Sequence, residues 1–266
     1  SIMFCVQGIA MGMTTGFGVM ISQAFGAKND RSLRHNVAMS MYLTILLSVI
    51  VTTILLVINK PLLHIMNTPE EIFGGASTYL GIIFAGFCAT MAYNVFAAIL
   101  RAIGDSKTPL YFLIISSGLN IILDLVFVIT FQMGVAGVAY ATVISQAVSA
   151  VLCFVYMNKK YPQVMRAEAE EKVFSFRSAG KLMGMGIPMA LQFSITALGT
   201  MIVQSTLNLL GETAIAAYAA AQKLQGLVGQ PYVALGTAMA TYSGQNAGAN
   251  DFARIKAGLK KCMMMI

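Results

Sequence analysis

Apolar stretches of about 20 residues, each long enough to cross the hydrocarbon core of a bilayer as an α-helix, follow one another along almost the whole chain. They run from Ile2 to Phe25, Val37 to Ile58, Ala76 to Leu100, Leu110 to Phe131, Val135 to Met157, Leu182 to Leu210 and Thr213 to Tyr242; an eighth begins near Ile255 and stops at Ile266. In lipid every backbone N–H and C=O has to be paired within the protein, which leaves only helices or closed barrels, and runs of this length read as helices. Charged residues are 10% of the sequence, against about 25% in soluble domains. The expected fold class is therefore an all-α polytopic membrane protein. The breaks between stretches carry turn and capping residues: Gly26-Ala-Lys-Asn-Asp30, Asn67-Thr-Pro69, Gly104-Asp-Ser-Lys-Thr-Pro109 and Gly248-Ala-Asn-Asp251.

The net charge of +7 has a topological reading rather than a nucleic-acid one, because the basic residues fall in short clusters between apolar runs. Fifteen of the 17 lie in the loops after Phe25, Leu100, Met157 and Tyr242, whereas the opposite loops hold only Lys60 beside Glu70, Glu71 and Glu212. The positive-inside rule then puts the first set of loops in the cytoplasm. Cys5, Cys88, Cys153 and Cys262 form no C-x-x-C pair and read as small apolar packing residues. There is no Gly-rich phosphate loop, no H-E-x-x-H and no G-x-S-x-G, so neither an enzyme nor a cofactor is expected.

An internal repeat emerges when the basic loops are compared. Gln23-Ala-Phe-Gly-Ala27 matches Gln245-Asn-Ala-Gly-Ala249 at an offset of 222, and Arg34 matches Lys256 at the same offset. Both copies end an apolar run and precede a basic loop. The offset implies two six-helix halves, of which this sequence is a fragment. Residues 1–158 form a first lobe lacking its opening helix, 159–181 a cytoplasmic linker, and 182–266 the start of a second lobe. Ala167 to Phe174 within the linker reads either as a short surface helix or as a solvated connection.

Asp124 is the one charged residue in the run from Leu110 to Phe131. A carboxylate at the centre of a spanning helix costs roughly 2.5–3.5 kcal/mol even on insertion scales, and such residues mark proton or cation pathways. It lies about 22 Å along the helix from Pro109, at about 1.5 Å per residue, in the outer half by the orientation above. Asn120, one turn earlier, shares its face, so the amide can donate to the carboxylate or join it around a cation. Capping, or pairing with a neighbouring helix, is the structural alternative.

Several motifs together resemble the multidrug and toxic compound extrusion (MATE) family, in a bacterial DinF-like or related branch. They are Ile21-Ser-Gln-Ala-Phe-Gly-Ala27, Leu100-Arg-Ala-Ile-Gly-Asp-Ser-Lys-Thr-Pro109, Asn120-Ile-Ile-Leu-Asp124, Gly134-Val-Ala-Gly-Val-Ala-Tyr-Ala-Thr142, Gly186-Ile-Pro188 and Gly244-Gln-Asn-Ala-Gly-Ala249. The resemblance implies two pseudo-symmetric six-helix lobes around a central cleft, with family helices two to nine present here. It implies alternating-access export of drugs or toxic organic compounds, cationic or amphipathic, driven by inward H+ or Na+. By position, the cation-coupling cluster resembles Asp124, Asn120, Thr142, Tyr79 and Asn94. Asp124 and Asn120 would be the metal ligands if the ion is Na+, and the family's first helix often supplies another Asp. A monomer in the lipid bilayer, with no nucleic-acid partner, is the expected state.

For the cleft the sequence offers Gln192, Thr196, Lys223 and Met189. Lys223 lies inside an apolar run, where it can bind an anionic group or snorkel to the interface. Methionine, with 19 residues, suits a cleft that accepts many apolar ligands, and equally suits packing. Two rival functions stay open: a lipid-linked oligosaccharide flippase of the wider superfamily, and a non-transporting receptor or scaffold. A flippase calls for several cationic residues along the cleft; a scaffold has no use for Asp124 and Asn120 facing a hydrated cavity.

Overall fold

The structure is a computed structural model in which residues 2–65, 68, 70–207 and 212–265 are described. Among them the chain is helical, with no strand. The helices are α1 (Ile2–Gly26), α2 (Asp30–Ile65), α3 (Glu70–Ala85), α4 (Phe87–Ala102), α5 (Lys107–Leu125), α6 (Gly134–Lys160), α7 (Pro162–Met165), α8 (Phe176–Leu207), α9 (Glu212–Gly248) and α10 (Phe252–Met265). A π-helical turn, Val126–Thr130, prolongs α5. Helices α2 and α6 and the prolonged α5 are each long and apolar enough to cross a bilayer.

The third apolar run is corrected in two ways. The helix there starts at Glu70, earlier than expected, and the run is two helices bent by 43° at Gly86 that only together are long and apolar enough for a span. Val143 of α6 crowds Gly86, leaving no room there for a side chain. In the linker, the one helical turn is Pro162–Met165, and Ala167 to Phe174 is irregular. Of the turn Asn67-Thr-Pro69, only Thr68 is among the described residues.

Three of the loops are the same joint. The backbone N–H of Lys28 reaches Phe25 O at 3.0 Å and that of Asn29 reaches Ala24 O at 3.2 Å; Gly104 to Arg101 (3.0 Å) with Asp105 to Leu100 (2.9 Å), and Asn250 to Ala247 (3.1 Å) with Asp251 to Asn246 (2.9 Å), repeat the pattern. This paired closure is the Schellman arrangement, which needs a left-handed residue after the helix. Lys28, Gly104 and Asn250 supply it, with φ of 51°, 94° and 57°. The next side chain starts the following helix: Asn29 Oδ1 accepts from Ser32 N (2.9 Å), Asp105 Oδ1 from Thr108 N (3.2 Å) and Asp251 Oδ1 from Arg254 N (3.0 Å). Each pins a first-turn N–H that has no partner within the helix.

By packing, the chain forms two compact units, Ser1–Asn36 with Phe176–Ile266, and Val37–Ser175. This division follows the proximity of backbone segments, whereas the 1–158, 159–181 and 182–266 division follows the repeat. In the first unit α1 lies along α8 on Gly8, Gly12 and Gly16, which meet Phe193, Ala190 and Gly186; small residues four apart let two helix backbones approach closely in lipid. At its other end α1 meets α9 through the two repeat copies. A side chain at Gly26 would overlap the Gln245 carbonyl, and one at Gly248 would overlap the Gln23 carbonyl. Since Gly248 is the repeat equivalent of Gly26, and Gln245 of Gln23, the contact is reciprocal, as across a local two-fold axis.

In the second unit α6 packs against α3, α4 and α5. The polarity of α5 is inverted relative to a soluble helix: Ser116 is 3% exposed while Ile114 and Ile121 are 60% and 61% exposed. Helix α2 repeats this, with Ser40, Thr44 and Ser48 buried and Ile45, Val49 and Val57 exposed. Lipid solvates the apolar face, and interhelical contact takes the polar one. That inversion brings polar side chains together inside the unit.

Candidate functional site

Helices α5 and α6 run antiparallel, fixed by two crossing hydrogen bonds. Ser116 Oγ donates to Ser145 O at 2.6 Å, and Ser149 Oγ donates to Phe112 O at 3.4 Å. Asn120 and Asp124 continue the face of Ser116 at four-residue steps towards the far end of α5. Both side chains are partly buried, and the Asn120 Nδ2 and Asp124 Oδ1 atoms are enclosed without a hydrogen-bond partner. Ser145 Oγ and Gln146 Oε1 on α6 are enclosed and unpartnered in the same way. Leaving a buried polar atom unpaired costs about 1–3 kcal/mol, so Asn120 and Asp124, one turn apart on one face, are a concentrated cost that calls for a functional reason. Directly after Asp124 the helix widens into its π turn, and such turns occur often at functional sites.

The remaining members of the expected cluster lie in this unit but make local bonds. Thr142 Oγ1 donates to Val138 O of its own helix at 2.9 Å, and Asn94 Nδ2 donates to Thr90 O at 2.8 Å. Of the two arrangements open to Asn120, donation to the carboxylate is not made: Asn120 Nδ2 and Asp124 Oδ1 both lack a partner, and Thr142 donates within its own helix. Tyr79, on α3, is half-buried. The sequence reading missed Ser116, Ser145 and Gln146. The signal was present, since Ser116 lies four before Asn120 and Gln146 four after Thr142. Asn59 on α2 adds a further polar contact, donating to Ser77 O of α3 at 2.9 Å.

The first unit contains a cavity of about 390 Å3 between α1, α8 and α9, within the size range of small-molecule sites. Met189 and Gln192, two of the cleft candidates, line it with Thr15, Phe193, Tyr232 and Thr237. Pro188 precedes Met189 and Pro231 precedes Tyr232, each inside its helix, where proline removes one backbone hydrogen bond and favours a bend. Thr196 and Lys223 do not line this cavity. Thr196 donates to Gln192 O at 2.9 Å, and Lys223 is exposed. The side chains of Cys5, Met201 and Glu212 lie outside those described.

At the Lys107 end of α5 a third polar group ties the joint to α6. Asp105 Oδ2 accepts from Thr108 Oγ1 (2.9 Å), Tyr156 OH (3.0 Å) and Tyr161 OH (3.1 Å). Lys160 Nζ donates to Tyr156 OH at 2.6 Å and lies 5.1 Å from the centre of that ring. Partial burial works against the Asp105 charge, but the hydrogen bonds from Thr108, Tyr156 and Tyr161 outweigh it and hold the carboxyl below its ordinary value. The arrangement is one carboxylate gripped by two helices.

The MatE family model matches residues 1–126 and 188–266. The "Probable multidrug resistance protein YoeA" of Bacillus subtilis is 31% identical over 95% of this chain and 56% of its own length. The "Probable multidrug resistance protein NorM" of Thermotoga maritima is 28% identical over 94% of this chain and 54% of its own. This chain thus spans about half the length of the curated relatives it matches. A structure described as "Outward-facing conformation of a multidrug resistance MATE family transporter of the MOP superfamily" superposes with a TM-score of 0.91 at 22% identity, over 99% of this chain and 59% of the other. A "MOP superfamily transporter from Pyrococcus furiosus" does so at 0.88 and 21%, with the same coverage. These two likenesses establish the fold.

Proposed function

Because the chain belongs to the MatE family, we propose that its protein is a drug exporter of the cytoplasmic membrane in which inward movement of H+ or Na+, taken at Asp124, drives outward movement of a small organic compound. One observation carries the reading. Asp124 Oδ1 and Asn120 Nδ2 are enclosed and unpartnered on one face of a helix long enough to span the bilayer, and a membrane protein rarely retains such a group without using it.

The coupling ion is cargo, and the carboxylate is its carrier. A proton binding Asp124 would neutralise it; a sodium ion would take Asp124 Oδ1 with the amide oxygen of Asn120, oxygen ligands being what such a cation prefers. Either event removes a bare charge from the α5–α6 interface and shifts the balance between two arrangements of the helices, which is the requirement for alternating access. The cavity lined by Met189, Gln192, Phe193 and Tyr232 is the substrate candidate. Its lining in the described residues is neutral, so aromatic and thioether surfaces would hold an amphipathic or cationic compound by dispersion and cation–π attraction. A lipid-linked diphosphate would call for cationic side chains there, which favours the drug reading. The protein acts as a monomer in this reading, with the basic loops in the cytoplasm, and performs no covalent chemistry.

The test is counterflow in sealed vesicles. The complete protein carrying this chain is reconstituted, an imposed H+ or Na+ gradient is applied, and uptake of a fluorescent cationic drug is followed. Asp124→Asn should abolish gradient-driven exchange with both ions while leaving drug binding within a few-fold of the parent. Undiminished exchange would refute the assignment.

A further inference from the structure

We propose that the exposed face of α10 is a binding site for an anionic phospholipid of the leaflet it enters, with the lipid phosphate held between Lys256 and Lys260. The proposal stands independently of the reading of Asp124 and gives the protein a lipid partner of defined charge.

Between Phe252 and Met265 the sequence carries Arg254, Lys256, Lys260 and Lys261 and no acidic residue. All four are exposed, and among the described residues none forms an ion pair. The carboxylate nearest in sequence, Asp251, caps the helix by accepting from Arg254 N at 3.0 Å. Lys256 and Lys260 stand one turn apart, a placement of like charges that weakens a helix by itself. A phosphate shared by the two ammonium groups reverses the effect, because each then has an anion beside it in a charge-assisted hydrogen bond.

The residues between the lysines point to a lipid rather than to a soluble anion. Phe252, Lys256, Leu259, Lys260 and Met263 follow at steps of three and four that keep them on one side of the helix, and Phe252, Leu259 and Met263 are 62%, 50% and 68% exposed. Another side packs on α9: a side chain at Gly258 would overlap the Tyr242 ring, Cys262 is buried, and Tyr242 OH donates to Arg254 O at 3.1 Å. A face in water has no use for three bare apolar side chains, and a face wholly in hydrocarbon has none for two lysines. Interleaved, they suit the headgroup boundary, where apolar groups enter the acyl region and basic ones meet anionic lipid.

The depths match as well. Lys256 and Lys260 are about 6 Å apart along the axis at about 1.5 Å per residue, comparable with the headgroup layer of roughly 5–7 Å on each side of the hydrocarbon core. Helical side chains lean towards the helix N-terminus, which for α10 is the end at the polar joint 248–251. Both lysines are thereby carried back to the surface, the stem of Lys260 lying along its apolar neighbours. The first copy of the repeat shows that the joint itself does not call for these charges. At the offset of 222, Lys260 and Lys261 correspond to Ala38 and to Met39, which is fully buried, and Arg34, the counterpart of Lys256, is engaged within the protein.

The test uses the complete protein in phosphatidylcholine vesicles that contain a trace of phosphatidylglycerol or phosphatidylcholine bearing the same photoreactive acyl chain, with the labelled peptides located by mass spectrometry. A lysine near an anionic surface contributes roughly fivefold in affinity, so the phosphatidylglycerol probe should label residues 252–263 at least tenfold more than the phosphatidylcholine probe. Lys256→Gln with Lys260→Gln should bring the two probes level, and Lys256→Arg with Lys260→Arg should keep the difference, which separates charge from any change in folding. Equal labelling of the parent by both probes overturns the site, as does an undiminished difference in the glutamine variant. No labelling of α10 by either probe also overturns it, because another segment of the protein then covers the face. Inorganic phosphate that displaces the probe beyond the effect of chloride at equal ionic strength overturns the lipid assignment in favour of a soluble anion.

Discussion

Replacing Asp105 by alanine should destabilise the protein more than the equivalent replacement at either sister joint, and the three identical backbones make the comparison a controlled one. At all three, the side chain after the left-handed residue caps the next helix with one bond: Asn29 to Ser32, Asp105 to Thr108 and Asp251 to Arg254. Losing a cap costs typically about 1 kcal/mol, and that is the whole expected loss for Asn29→Ala or Asp251→Ala. Asp105 alone also accepts from Thr108 Oγ1, Tyr156 OH and Tyr161 OH. Hydrogen bonds to a charged acceptor contribute about 1.5–3 kcal/mol when buried; Asp105 is only partly buried, so screening takes the combined tyrosine contribution down to about 1–2 kcal/mol. Asp105→Ala should therefore cost roughly 2–3 kcal/mol. Unfolding in mixed micelles, monitored by tyrosine fluorescence since the chain has no tryptophan, measures all three variants side by side. The excess has a sign in pH. A carboxyl whose folded pKa is depressed contributes stability present above its unfolded pKa, about 3.9, and lost as pH falls through the lower folded value. The gap between Asp105→Ala and Asp251→Ala should be full at neutral pH and close in strong acid. If the two variants lose the same stability at pH 7, the tyrosine grip contributes nothing and the reasoning fails.

Lys28→Gly should stabilise by about 0.5–1 kcal/mol, because lysine there pays for a left-handed backbone that glycine adopts freely; denaturant midpoints measure it, and Gly104→Ala should move the opposite way. Gly12→Leu has no space against the Ala190 backbone and should cost at least about 2 kcal/mol, whereas Gly180→Ala, with open space around it, should be neutral or slightly stabilising in the same assay. Tyr232→Ala removes an aromatic wall of the cavity and should weaken binding of a fluorescent cationic drug about tenfold, as expected for loss of a cation–π and packing contact, leaving the ion dependence of exchange unchanged.

Helix positions were legible because lipid imposes a length and an apolar composition on each span, and most boundaries fell within a few residues of the apolar runs. The break at Gly86 was not legible: it depends on Val143 from another helix, and glycine inside an apolar run has several ordinary causes. At the site, Asn120 and Asp124 stood out because each is expensive in hydrocarbon. Ser116, Ser145 and Gln146 did not, since serine bonds its own helix cheaply and only pairing with α6 shows which faces meet. Lys223 was open to two readings from its place in the run; its side chain is exposed and lies apart from the cavity between α1, α8 and α9. Met189 and Gln192, offered for the cleft, line that cavity with Phe193, Tyr232 and Thr237, which come from packing that no spacing rule reveals.

The reciprocal contact of Gly26 with Gln245 and of Gly248 with Gln23 bears on how a duplicated chain ages. After a duplication, most equivalent positions face different surroundings and drift apart without consequence to one another. Residues beside the local axis meet the other copy, so a side chain added to one collides with the backbone of its neighbour. Neither copy can change alone. The few residues on which the repeat was recognised are then the ones least free to diverge, and the surviving similarity measures where the two copies touch rather than how recently they parted.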